Sequence, residues 1–318
     1  MRQFRSLLFA CVASVVLYIC IFGFVLARPL VVDEVGDLMN YKVSYAREAQ
    51  GAKIFIIAGS TARFSHRCAT LEELLGRFCI NAGIAYGIGL DWVFEKFKPY
   101  MKPGDVVYMP LEYAQYSISR VQMLTGVDAA YRFRYDKIGL LARGPEGVIR
   151  AMFSFDLPVL INSVAEMALQ LGGVHRRVGI ETLDKQGDEV GHGDDEAGPY
   201  ESFVSALPFA PPDSRRLLDN PQGQQKVIGA FLDWCRERGV VVVGGLPTMF
   251  NDRRIDDAII QTLEEFYFRH GASFVELPNR SQYPRRSFFD TSLHLREGAQ
   301  IAHSEMVANA LRPFLRRR

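Results

Sequence analysis

The chain has 318 residues, 48% of them apolar and 23% charged, with a net charge of +1. This is ordinary globular usage, with enough apolar material for a full core. The near-neutral balance gives no strong positive field to argue for a nucleic-acid binder, and no nucleic-acid-binding motif is present.

The N-terminus stands apart. Arg2 and Arg5 precede an uncharged run over residues 7–27. At a helical rise this run spans roughly 30 Å, the hydrocarbon thickness of a bilayer. A secretory signal has a shorter apolar region of about 7–15 residues, although Val25-Leu26-Ala27 offers a small-residue cleavage site. The expectation is a cytoplasmic stub and uncleaved transmembrane anchor over residues 1–30, with cleavage as the alternative. Arg2 and Arg5 on the cytoplasmic side would place residues 31–318 in the periplasm or outside, facing away from an inner membrane. Cys68, Cys79 and Cys235 lie in that exported part. Export permits disulfides, and Cys68–Cys79 would close a short loop; three buried free thiols are the other reading.

Residues 31–51 read as a linker and a helix. Residues 53–58 (Lys-Ile-Phe-Ile-Ile-Ala) are short, apolar and β-branched, as in a buried strand, and run into Gly59-Ser60. Residues 70–77 read as a helix with Thr70 as N-cap and Glu73 completing a capping box. Residues 78–81 form a second short strand, 90–100 an amphipathic helix and 105–110 a third strand. The stretch from about 113 to 212 differs. It carries helical patterns first, then Gly- and acid-rich sequence, with 187–198 as loop, and reads as a helical insertion over the sheet. Regular alternation resumes with a helix at 225–238, a strand at 240–243, a helix at 254–270, a strand at 273–277 and a last helix at 297–315. Strands apolar on both faces, alternating with helices, predict a parallel sheet covered on both sides, a three-layer α/β/α sandwich.

In such sheets, function sits beyond the carboxyl ends of strands. Ser60 stands there after the first strand. After the fifth strand comes Phe288-Phe289-Asp290-Thr291-Ser292-Leu293-His294-Leu295, with Asp290 four residues before His294. A nucleophilic serine needs a base, and the base needs an orienting partner. Ser60, His294 and Asp290 can fill these roles. The bland readings are a turn serine and a packing histidine.

A serine in Gly59-Ser60-Thr61-Ala62-Arg63 after the first strand, a glycine (Gly83) after the second and a closing Asp290/His294 pair before the last helix resemble the SGNH/GDSL hydrolase superfamily. With the N-terminal anchor, the pattern is similar to its membrane-anchored branch, which includes the teichoic-acid D-alanyl-transfer protein and the alginate and cellulose O-acetylation proteins. The resemblance implies a flavodoxin-like three-layer fold and acyl transfer or ester hydrolysis through a seryl intermediate. It implies Ser60 as nucleophile, His294 as base and acid, Asp290 as orienter, and the N–H groups of Ser60 and Gly83 as oxyanion hole. It also implies an exported polysaccharide as acyl acceptor and a membrane O-acyltransferase as partner, and it calls for no cofactor. A turn glycine is the other reading of Gly83. The chain departs from the family in two places. Pro110-Leu111-Glu112-Tyr113 stands where Gly-x-Asn-Asp is usual, leaving Tyr113 or Gln115 to substitute. Three residues, not two, separate Asp290 from His294. An ionised Glu112 accepts hydrogen bonds and cannot donate to an oxyanion. A plain esterase and a non-catalytic glycan-binding scaffold are the rival functions.

The remaining candidates read as structural. His66 is expected in a loop or surface role, Arg63 in a salt bridge, and Asp194, Asp195 and Glu196 in a solvated acidic loop. His175, His192 and His303 lack metal-ligand spacing. The glycines of 83–89 lack the Lys-Ser/Thr of a phosphate-binding loop.

Overall fold

The computed structural model describes residues 2–21, 30–85, 87–118, 127–142, 144–153, 179–209 and 223–315, with scattered positions at 161–173 and at 212, 217 and 218. The expected cleavage site, His175 and most of 210–222 lie outside the described residues. The chain divides into two compact units, Met1–Asp37 with Val121–Val178, and Leu38–Arg120 with Gly179–Arg318.

The larger unit is α/β. Its sheet has strands β1 (Lys53–Ile56), β2 (Phe78–Asn81), β3 (Val106–Met109), β4 (Val241–Gly245) and β6 (Ser273–Val275), in the order β2-β1-β3-β4-β6. Every pairing is parallel, from Lys53 opposite Phe78 on one flank to Gly245 opposite Val275 on the other. β1 and β3 are buried along their whole length, which is why they read as continuous apolar runs. Helices flank the sheet. The helix Glu297–Leu311 packs against Ser60–Ser65 and Cys68–Leu75, and Gln225–Glu237 packs against Leu90–Phe97 and β4. A short parallel pair, β5 (Met249–Phe250) with β7 (Gln282–Tyr283), was not expected from the sequence; two residues per strand are too few for a pattern. The chain leaves β1 for β2 on one side and then returns to β3 on the other. The crevice between the ends of β1 and β3 is thus the switch point where parallel sheets bind ligands.

Two local expectations are corrected. The helix expected at 70–77 begins two residues earlier, as Cys68–Leu75, and no side chain of its own caps it. Instead its N-terminus is capped from afar: Asp188 accepts the Cys68 N–H, and Ser304 Oγ accepts the Arg67 N–H at 2.7 Å. Thr70 therefore has no capping role. The acid-rich segment at 187–198 is not simply loop. Asp188, Glu189 and His192 are buried, and Asp194–Ala197 is one helical turn. Gln186 O accepts the Asn81 N–H at 3.1 Å, and the buried Lys42 donates to Gly187 O at 2.6 Å. Asp194, Asp195 and Glu196 are exposed, as expected, with Asp194 paired to Arg296 at 3.0 Å. Cys68 and Cys79 form a disulfide, joining the helix to β2, while Cys235 is a buried free thiol.

Among the described residues, the smaller unit includes the apolar helix Arg2–Ile21 and the short helices Val127–Tyr135, Lys137–Leu141 and Gly144–Met152. Within it, Gln3–Ile21 is long and apolar enough to cross a membrane, and none of that stretch is buried.

Candidate active site

β1 ends at Ile56, and Ser60 opens the short helix Ser60–Ser65. At this turn Gly59 approaches another chain segment closely. A Cβ there would stand 2.4 Å and 2.6 Å from the two carboxylate oxygens of Glu112. Glu112 follows β3, is buried, and accepts the Gly59 N–H at 2.9 Å and the Thr61 N–H at 3.2 Å. One carboxylate therefore straddles Ser60 and satisfies the donors on either side of it. The N–H of Ser60 lies between these two, in the first turn, where no intrahelical acceptor exists.

Gly83 is the second close approach. A Cβ there would lie 2.6 Å from Ala62 Cβ and 2.7 Å from Gly59 O. Its N–H points to the side chain of its own turn, donating to Asn81 Oδ1 at 3.1 Å. Asn81 is fully buried and spends its amide on Ala62 O at 2.8 Å and Asp188 Oδ1 at 2.7 Å. It thus ties the nucleophile helix, the second strand and the 184–192 segment together. Of the suggested substitutes, Gln115 uses Oε1 to accept the Glu112 N–H at 3.0 Å, and the Tyr113 hydroxyl is buried without a partner.

The other half of the site is the loop before the last helix. Phe288 and Leu295, both buried, form an antiparallel bridge, and Phe289 N–H donates to His294 O at 2.8 Å. The bridge closes a tight loop between them. Thr291 Oγ1 inside it accepts the N–H groups of Leu293 and His294, each at 3.2 Å. This turn accommodates the three residues between Asp290 and His294. His294 Nδ1 lies 2.7 Å from Asp290 Oδ1, and His294 Nε2 lies 2.9 Å from Ser60 Oγ. The structure thus brings the three predicted residues into one hydrogen-bonded chain. With Asp290 as acceptor, Nδ1 carries the proton and Nε2 faces the serine as a base.

Several residues that hold this geometry were not found in the sequence. Phe64 stacks on the His294 ring with centroids 4.1 Å apart and planes within 9°. Ser65 Oγ and Thr248 Oγ1 lie 2.8 Å apart and contact Leu293 O at 2.9 and 2.6 Å, and Ser65 Oγ accepts the Leu295 N–H at 3.3 Å. A serine at the end of a helix carries no signal of such a role. Arg63 pairs with Glu189 at 3.0 Å, as expected of a salt bridge, and its guanidinium lies 4.8 Å from the Phe64 ring centre.

His66 is corrected. It is fully buried, not a loop or surface residue, and burial pushes its imidazole down to about 4. It packs edge-on against Tyr108 and against His303, which burial holds well below the usual histidine range. His192 is buried edge-on to Phe64 and Phe289, and burial lowers it too. These three are neutral packing histidines. Among the described residues no group of three or more His, Cys, Asp or Glu side chains is arranged to hold a metal ion.

Comparisons of the chain with protein-family models, with characterised proteins and with solved structures find no match. The site has a serine hydroxyl, an imidazole in contact with it and a carboxylate on the other imidazole nitrogen, the kinds of group that serine-based acyl transfer requires.

Proposed function

We propose that the protein is a membrane-anchored, extracytoplasmic serine acyltransferase or esterase of the SGNH type, which O-acylates (acetylates) an exported polysaccharide or, with water as acceptor, hydrolyses acyl esters. The observation that carries this reading is the unbroken Ser60–His294–Asp290 chain at the switch point of a parallel sheet. The anchor reading is supported by the apolar Gln3–Ile21 helix behind Arg2, and the outward orientation by the Cys68–Cys79 disulfide, since disulfides persist in oxidising compartments.

The reaction runs in two halves. Ser60 Oγ attacks the acyl carbonyl while its proton passes to His294 Nε2. Asp290 holds the resulting imidazolium through Nδ1–H. The tetrahedral intermediate collapses as His294 returns the proton to the leaving oxygen, leaving acyl-Ser60. An acceptor hydroxyl then gives its proton to His294 and attacks the acyl carbon, and His294 passes that proton to Ser60 Oγ as the serine leaves. Water as acceptor makes the protein an esterase; a sugar hydroxyl makes it a transferase, and a membrane O-acyltransferase would then load the serine. The Ser60 N–H is the first oxyanion donor in this reading. The Gly83 N–H joins it when the substrate oxygen displaces Asn81 Oδ1.

The non-catalytic scaffold reading draws on the same two facts, the Glu112 carboxylate beside the nucleophile and the Gly83 N–H held by Asn81. One experiment separates the readings. The full chain in detergent is exposed to a fluorophosphonate and, separately, to an activated acetyl ester, and its peptides are mapped by mass spectrometry. The expected result is modification of Ser60 that is lost in Ser60→Ala and weakened in His294→Ala. A folded protein that takes up neither reagent is a scaffold. Acetyl release measured with and without an oligosaccharide acceptor then distinguishes transfer from hydrolysis.

A further inference from the structure

The turn that carries Ser60 has three successive backbone N–H groups, those of Gly59, Ser60 and Thr61. Two of them are taken by one side chain. Glu112 Oε2 accepts the Gly59 N–H at 2.9 Å, and Oε1 accepts the Thr61 N–H at 3.2 Å. The Ser60 N–H lies between them, in the peptide that joins residues 59 and 60. The peptides before and after it are the two that Glu112 holds. Each peptide is a rigid plane, so the middle one can turn only about its two Cα ends. Its own carbonyl opposes that turn, since Gly59 O accepts the Ala62 N–H at 3.2 Å. The direction of the Ser60 N–H is therefore set by the grip of Glu112 on both neighbours.

Glu112 is itself held. Ile56 of β1 pairs with Tyr108 of β3, and Ser60 and Glu112 each stand four residues beyond that pair. The Ile57 N–H donates to Tyr108 O at 2.9 Å, which keeps the two segments in register as they leave the sheet. Leu111 and Glu112 are buried. Gln115 Oε1 accepts the Glu112 N–H at 3.0 Å, and Glu112 O accepts the Gln115 N–H at 2.8 Å. The carboxylate thus sits on a short arm fixed to the strand on one side and to the next helix on the other. Negative charge beside a developing oxyanion is unfavourable, so a carboxylate here calls for a reason. Its acceptor count supplies one. Both oxygens of a carboxylate accept, whereas a carboxamide of the same shape offers one acceptor and turns a donor toward the second N–H.

We infer that Glu112 is a positioning residue for the acylation step. By gripping Gly59 and Thr61 it holds the Ser60 N–H in place as the oxyanion donor. It touches no reacting atom and acts through the backbone. The inference rests on the reading of Ser60 as a nucleophile.

The test is the kinetics of fluorophosphonate labelling at Ser60, in the full chain in detergent, for wild type, Glu112→Gln and Glu112→Asp. Attack on the reagent places negative charge on the phosphoryl oxygen, as acylation does on the carbonyl oxygen. Each protein is labelled over a range of reagent concentrations, below its melting transition, to give a limiting rate and a half-saturating concentration. Glu112→Gln keeps the shape and loses one acceptor. Its limiting rate is expected to fall about 10²-fold, close to the loss of one oxyanion donor, with half-saturation within about twofold of wild type. Glu112→Asp keeps both acceptors but withdraws them by about 1.5 Å, one bond length, and should lose about tenfold or more. If Glu112→Gln does not fold, the Glu112→Asp rate decides alone. A wild-type limiting rate in the folded variants, with a lowered melting temperature, makes Glu112 a helix cap and overturns the inference. Faster labelling of Glu112→Gln shows a charge that opposes the oxyanion and also overturns it. So does a raised half-saturating concentration at an unchanged limiting rate, which assigns Glu112 to binding. A wild type never labelled at Ser60 overturns the catalytic reading, and this inference with it.

Discussion

On the Ser60 side of the site the backbone is crowded. Glu112 oxygens stand 2.4 and 2.6 Å from where a Cβ of Gly59 would be, and Gly83 presses on Ala62 and on Gly59 O. On the His294 side the loop is held by hydroxyls, Thr291 within it and Ser65 and Thr248 beneath it, and by the face of Phe64. The first half is a close-packed junction in which an added Cβ at Gly59 would meet the Glu112 carboxylate and one at Gly83 would meet Ala62 and the Gly59 backbone. The second is a polar loop whose geometry is distributed over several bonds of ordinary strength. Precision is kept in two ways: Ser60 is fixed by shape, and His294 by several separate contacts.

Substitutions on the two sides should have unequal effects. The largest effect is expected from Asp290→Asn, which keeps the loop but presents the wrong tautomer to Ser60. A loss of about 10⁴ in kcat is expected from a triad of this kind. Esterase kinetics that stay within tenfold of wild type would mean that the carboxylate beside His294 does not serve as its orienter.

A second effect is on stability and comes from His66, the C-cap of the helix Ser60–Ser65. His66 is held at about 4 by burial, below its unfolded value of about 6.5. The unfolded chain therefore binds the proton more readily. Stability is complete above pH 6.5 and falls as pH drops through the window from 6.5 to 4, by roughly 3 kcal/mol from this residue alone. Urea midpoints across pH 7 to 4 measure it, and His66→Asn should flatten the slope. An unchanged slope in that variant would assign the acid sensitivity to His192, His303 or other groups.

Next in size is Gly59→Ala. The methyl group would meet the Glu112 carboxylate, so the turn must open, at about 1–3 kcal/mol of stability. Fluorophosphonate labelling should fall with it. Full labelling and an unchanged melting temperature would show that the nucleophile turn yields as readily as the loop opposite.

The smallest effect is expected from Ser65→Ala. It removes one of two hydroxyls on Leu293 O and the acceptor of the Leu295 N–H, a loss of about 1 kcal/mol. Thr248 remains on Leu293 O, so kcat should drop less than tenfold while the triad survives. A loss as large as that of Asp290→Asn would contradict the distributed picture of the loop.

Much of the sheet was legible in the chain. Ile54 to Ile57, Val106 to Met109 and Val241 to Val243 are apolar and β-branched because both faces of a parallel sheet are covered, and that demand is written locally. Ser60 was legible because it follows a strand, and the Asp290/His294 pair because it precedes the last helix. Their meeting was an inference from edge and order, since 234 residues separate Ser60 from His294. The tertiary structure alone decided the rest. Asp188 caps a helix 120 residues away and so displaces the local capping box that Thr70 and Glu73 suggested. Glu112 takes the donors around Ser60, and Asn81 takes the Gly83 N–H. His66, six residues from the nucleophile, turns inward and loses its charge. The physical reason is the same each time. Strand and helix patterns arise from which side of a residue meets water, and neighbours in the chain record it. Which donor meets which acceptor depends on the order of the strands, and no single stretch of sequence carries that order.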